Sequence, residues 1–202
     1  MRARVALVSL SLSLLFAAGG ASAQKPNIPP PPAPSASPSA NTPSSGTPTM
    51  DEQLMWAIDE GSCTVSMVDS KLLGGADPNF KNAGRAKGIR VGDNALVAAL
   101  IRPCDEKVIK HIVKGEVPVN INKANVKKAD VEATGKDGVT PLVLAVKLDD
   151  VSLVKLILEA GANPDRKMVS TDPALNGKTA FDFLAGKKHE KRMRKALKKE
   201  RD

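Results

Sequence analysis

The chain has 202 residues, a formal charge of +8, 15 prolines, two cysteines, one tryptophan and no tyrosine. An aromatic content of 2% leaves little for the stacking platforms that hold bases or sugars, which argues against a single-strand nucleic-acid reader or an aromatic-lined active site. Nine of the 15 prolines crowd between Pro26 and Pro48, so this stretch does not read as globular.

In chain order, residues 1–23 read as a secretory signal peptide. Arg2 and Arg4 give a basic start, Val5 to Ala18 an apolar run broken only by serines, and Ala21-Ser22-Ala23 an A-x-A cleavage site. The run is shorter than the roughly 20 apolar residues a membrane-spanning helix needs. Cleavage after Ala23 and a periplasmic or secreted location are therefore expected. Residues 24–50 follow as a Pro/Ser/Ala-rich disordered linker carrying a single charge, Lys25, too polar and proline-dense to form a core. Its P-x-x-P spacing from Pro29 to Pro34 also suits a docking ligand, which would need a reader domain.

From Asp51 the chain repeats itself. Gly75-Ala76-Asp77-Pro78-Asn79 returns as Gly161-Ala162-Asn163-Pro164-Asp165, with a weaker copy at Glu116-Val117-Pro118-Val119-Asn120. In register on Asn79, Asn120 and Asp165, the apolar positions Met67, Val108 and Leu153 coincide, as do Val68, Ile109 and Val154, and Leu72, Val113 and Leu158. Spacings such as Leu153, Val154, Ile157 and Leu158 mark one face of a helix. A second apolar segment precedes each copy, at Leu54 to Ile58, Leu96 to Leu100 and Leu142 to Val146, with Phe181 to Leu184 as a fourth. Each unit is read as two short helices and a turn.

The third unit carries a family resemblance in Asp137-Gly138-Val139-Thr140-Pro141-Leu142-Val143-Leu144-Ala145, then Leu153 to Glu159 and Ala160-Gly161-Ala162-Asn163. It resembles an ankyrin repeat. Thr140 suits a helix cap, Pro141 the first helical position and Gly161 a left-handed helix end. The resemblance implies an all-α solenoid of about four helix-turn-helix units at 51–80, 92–121, 137–166 and 176–186 onward, with a basic capping helix at 187–202. Val143 stands where the family has a histidine, the first unit lacks the Thr-Pro start, and the second has Gly115 then Glu116 at its helix end. Asn79 to Asn120 spans 41 residues and Asn120 to Asp165 spans 45, against about 33 for a regular unit. The added length falls where ankyrin repeats project finger loops, the usual binding face.

Charge divides along the same lines. The finger segments 80–92, 121–138 and 166–177 carry net charges of +4, +1 and +1 and the tail from Lys187 another +6, while the helical units carry −7. Lys81, Arg85, Lys87, Arg90, Lys123, Lys127, Lys128, Arg166 and Lys167 are thus the expected partner-binding residues. Glycines 84, 88 and 92 suggest a mobile first finger that orders on an anionic partner. The tail reads as a helix with Met193, Ala196 and Leu197 on one side, a narrow stripe suited to capping a repeat array.

Groupings of catalytic residues are missing from the pattern. His111 falls in a second helix and His189 in the tail, no Cys/His spacing suits a metal, and no G-x-S-x-G is present. Gly177-Lys178-Thr179 lacks the leading glycine of a phosphate loop, which is Asp172 here. Ser152 and Lys155 match an acylating pair only in spacing, on a repeated helix. No enzyme activity, cofactor, metal or nucleic-acid partner is expected. Cys63 and Cys104 each lie 16 residues before their unit's terminal Asn, and export favours pairing. Packed helices stand about 8 to 10 Å apart where a disulfide wants about 7 Å or less, but turn positions lean together, so a disulfide is expected. The functional expectation is an exported protein-binding module, with an inhibitor or immunity role toward a secreted enzyme such as a lipase or wall hydrolase. The alternative is an envelope protein holding anionic lipid or wall polymer through fingers and tail.

Overall fold

The computed structural model describes residues 46–60, 63–102, 104–117 and 126–201. The expected signal peptide, most of the expected linker, and Lys123, Asn120, Gly61 and Pro103 lie outside the described residues. Seven α-helices and one 3-10 turn make up the regular structure among them, and no strand occurs there. The helices are α1 (Met50–Asp59), α2 (Val65–Leu73), α3 (Ala95–Ile101), α4 (Glu106–Lys114), α5 (Pro141–Lys147), α6 (Val151–Glu159) and α7 (Glu190–Lys199), with the 3-10 turn at Ala180–Phe183 between α6 and α7.

Two rows result. α1, α3, α5 and the 3-10 turn stack in sequence as an inner row, and α2, α4, α6 and α7 as an outer row. Within each of the first three units the two helices pack on each other. The tail helix is thus the outer helix of a fourth unit whose inner helix has shrunk to one turn. Burial follows the sequence register: Leu54, Leu96 and Leu142 fill the inner row, and Val68, Ile109 and Val154 the outer, all at most 2% exposed. Burying one such side chain contributes roughly 2 kcal/mol. Met67 departs from the register, sitting at 37% exposure on α2, the first helix of the outer row among the described residues.

The inner-row starts share one device. Thr49, Asn94 and Thr140 each accept the backbone N–H three residues on, satisfying a donor that has no partner within the helix. The first unit therefore does begin with a threonine cap, reinforced by Glu52 reaching back to the Thr49 N–H, and α1 starts one residue before the expected boundary at Asp51. In the fourth unit the Thr179 N–H and hydroxyl both donate to Asp182, which holds that carboxyl below the usual range. Helix ends divide as the sequence suggests: Gly161 follows α6 at φ 99°, and in the second unit Gly115 takes the left-handed position one residue earlier, at φ 64°.

The residue before each outer-row cap forms a second register. Cys63 and Cys104 occupy it in units one and two and are joined by a disulfide, with Cα atoms 5.4 Å apart. Asp149 holds it in unit three, in the left-handed region at φ 61°, and its carboxylate accepts the N–H groups of Lys188 and His189 before α7. Neighbouring units are thus tied turn to turn at both ends of the stack.

Candidate protein-docking surface

The first finger closes around Asn82, which is 3% exposed. Its side-chain amide donates to the carbonyls of Ala86 and Ile89 at 2.9 and 2.6 Å, and its Oδ1 accepts the Gly84 N–H at 3.1 Å. Its backbone N–H donates to Asp93 and its carbonyl accepts from Gly92. Ala86 and Ile89 turn inward and are buried. The expectation of a mobile finger is corrected: one asparagine satisfies backbone groups a loop would otherwise leave to water, and the glycines serve geometry rather than looseness.

This closed loop is fastened to the inner row. Arg85 pairs with Glu52 of α1 at 2.9 Å. The Gly88 N–H donates to Asp59 at the end of α1, and Arg102 beyond α3 donates both to Asp59, at 2.8 Å, and to the Gly88 carbonyl. A Cβ at Gly88 would collide with the Asp59 carboxylate and the Arg102 guanidinium, so a larger residue there would push both side chains out of this arrangement. Arg90 bridges two fingers, donating to Asp93 and to Asp137. Burial opposes its charge, but the carboxylates of Asp93 and Asp137 outweigh that and raise its already high pKa.

The later fingers are held the same way. Lys127 donates to Asp77 at 2.9 Å; burial raises the Asp77 pKa, yet Lys127 and the Asn79 N–H overcome it and leave it lowered. The Asn79 side chain clasps the second finger, donating to the Lys128 carbonyl and accepting the Asp130 N–H. Arg166 pairs with Glu132, which also accepts the Asn163 N–H. In the third finger the Met168 backbone pairs with Gly177 and Lys178 while its side chain is buried.

The structure therefore sorts the expected contact residues into two kinds. Arg85, Arg90, Lys127 and Arg166 are engaged with carboxylates of this same chain. Lys81, Lys87, Lys128 and Lys167 are exposed, and among the described residues their side chains make no ion pair or hydrogen bond. Exposed Val91 and Val169 lie in the first and third fingers, at 56% and 84%. What sequence reasoning missed were the carboxylates of Glu52, Asp59, Asp93 and Glu132 and the hub Asn82. The acidic charge of the helical units was the available signal for Glu52, Asp59 and Asp93, whereas Glu132 lies in a finger segment and Asn82 carries no charge.

Among the described residues no group of His, Cys, Asp and Glu suits a metal ion. His111 and Asp69 meet at 2.7 Å and join α4 to α2, an interhelical tie in the outer row. A model of ankyrin repeats in three copies matches residues 54–168, more than half of the chain. The chain belongs to the ankyrin-repeat family. No curated protein matches it. Ankyrin repeats are protein-interaction modules, and in this ankyrin-repeat chain the long first finger lies over the inner-row helices rather than projecting from them.

Proposed function

We propose that this ankyrin-repeat chain is an exported protein-binding module that engages an acidic partner along its finger edge. The observation that carries the reading is the set of exposed lysines Lys81, Lys87, Lys128 and Lys167, without ion-pair partners among the described residues, in fingers that also expose Val91 and Val169. Unpaired charge next to apolar side chains on a rigid support is what a protein interface needs: steering from the one and buried area from the other. The signal-peptide pattern and the Cys63–Cys104 disulfide support a compartment outside the cytosol. The narrower role we propose is inhibition or self-protection, the module covering a secreted enzyme of the lipase or wall-hydrolase kind.

Affinity capture from a periplasmic extract tests this, comparing the native chain with Lys81→Glu/Lys87→Glu/Lys167→Glu. The expected result is an acidic protein retained by the native chain and lost at least tenfold by the triple variant. Equal retention by both, or no retained protein, defeats the reading. Adding the module to the captured protein and assaying hydrolysis then decides between inhibition and simple scaffolding.

A further inference from the structure

The tail helix presents a different kind of positive charge from the fingers. Met193 and Leu197 of α7 are both 0% exposed and pack toward α6. At about 100° per residue, Lys191, Arg192, Arg194, Lys195, Lys198 and Lys199 fall in an arc of about 160° opposite that buried stripe. All six are exposed, and among the described residues only Arg194 has a carboxylate partner, Glu190. Lys155 of α6 extends the cationic face across a groove of about 410 Å³ that it lines with Val151, Arg192, Lys195, Ala196 and Lys199. No large apolar side chain of α7 is left outside to enter a bilayer.

From this geometry we infer that the outer face of α7, with Lys155, docks on the surface of an anionic phospholipid bilayer by charge alone. The orientation is fixed because the apolar stripe is consumed by the fold, so all six bases point the same way. Glu159 and Glu200 border this face next to Lys155 and Lys199, but the six bases of α7 outnumber them. A broad, predominantly cationic face suits an extended anionic plane better than a folded acidic protein, which would need apolar contact as well. The contact is superficial and reversible, since nothing inserts, and it leaves the finger edge open. It does not rest on the protein-binding reading and uses none of that reading's lysines.

Sedimentation of the full chain with vesicles containing 30% phosphatidylglycerol, against neutral phosphatidylcholine vesicles, tests the inference. The readout is the excess binding to anionic vesicles, in which any contribution of the apolar run 5–18 cancels. The expected excess falls steeply between 50 and 300 mM salt. Each Lys or Arg near such a surface is worth roughly fivefold in partitioning, so Arg192→Gln/Lys195→Gln/Lys199→Gln lowers the excess roughly 100-fold. Circular dichroism confirms that the variant is folded, and the Lys81→Glu/Lys87→Glu/Lys167→Glu chain serves as the control that keeps the excess. Overturning results are equal binding to neutral vesicles, an excess unchanged in the α7 variant, or an excess lost only in the finger variant. Soluble polyglutamate or purified cell wall bound more tightly than the vesicles also overturns it, by assigning the face to another polyanion.

Discussion

The first finger and α7 are the two most basic stretches of the chain, and the structure treats them in opposite ways. In the finger, arginines are spent on carboxylates of the same molecule: Arg85 on Glu52, Arg90 on Asp93 and Asp137. In α7 the helix is held by two apolar side chains, and among the described residues its cations apart from Arg194 have no carboxylate partner. Positive charge in sequence therefore has two meanings here. Where carboxylates of the same chain lie within reach it fastens a loop, and on the outer face of α7 it is left available to something outside.

The largest expected effect bears on what the finger is fastened to. Asp59 and Arg102, which grip Gly88, lie four and two residues from Cys63 and Cys104. The disulfide fixes the spacing of these two anchors. Replacing both cysteines by serine releases a loop of 41 residues, which costs about 4 kcal/mol in the chain-entropy account. Urea denaturation should show that loss, and hydrogen exchange should place the lost protection in the first finger while α7, two units away, keeps its own. Equal loss at both places would mean the finger draws no support from the crosslink.

Asn82 gives the next effect. Asn82→Ala removes the donor shared by the Ala86 and Ile89 carbonyls and the acceptor for Gly84, inside a loop that is otherwise sealed. Leaving buried carbonyls without partners costs about 2 kcal/mol. With the loop open, Arg85 and Arg90 would be freed from their carboxylates, making the finger resemble α7 in having loose cations. Denaturation gives the stability change, and increased cleavage by trypsin at Arg85 in the native state reports the opening. A variant as stable and as resistant as the native chain would show that the ion pairs alone close the loop.

Repeat architecture was legible because it is written as periodic apolar residues and small capping motifs. The coincidence of Val68, Ile109 and Val154 and the Thr140-Pro141 start are local signals, and the structure buries and caps those residues accordingly. The Thr49 cap was hidden by composition, since it follows a proline-rich stretch and looks like part of it. Charge was harder to read. The sequence showed basic fingers and acidic helices, and an external acidic partner was one way to balance them; Glu52 and Asp59 are another, already inside the molecule. Pairings between residues 33 and 43 apart, such as Glu52 with Arg85 and Asp59 with Arg102, depend on how a long finger folds back, which no periodicity encodes.

The smallest effect separates paired from unpaired charge by pH. Asp77, whose carboxyl is held below its ordinary range, contributes stability that is present above the unfolded value of about 3.9 and is lost as pH falls through the folded value. Its partner Lys127 has a raised pKa, so its contribution is complete below the unfolded lysine value of about 10.4 and fades as pH rises beyond it. Between these limits the pair is intact, and its exposure on the surface keeps the contribution modest. Asp77→Asn should therefore lower the urea midpoint slightly at pH 7, and the difference from the native chain should shrink as pH falls below about 4. Lys195→Gln in α7, which removes a cation with no carboxylate partner among the described residues, should leave the acid limb of the curve where it was. If the two substitutions moved that limb equally, the finger cations would be no more committed to internal carboxylates than those of α7, and the division between fastening charge and spare charge would fail.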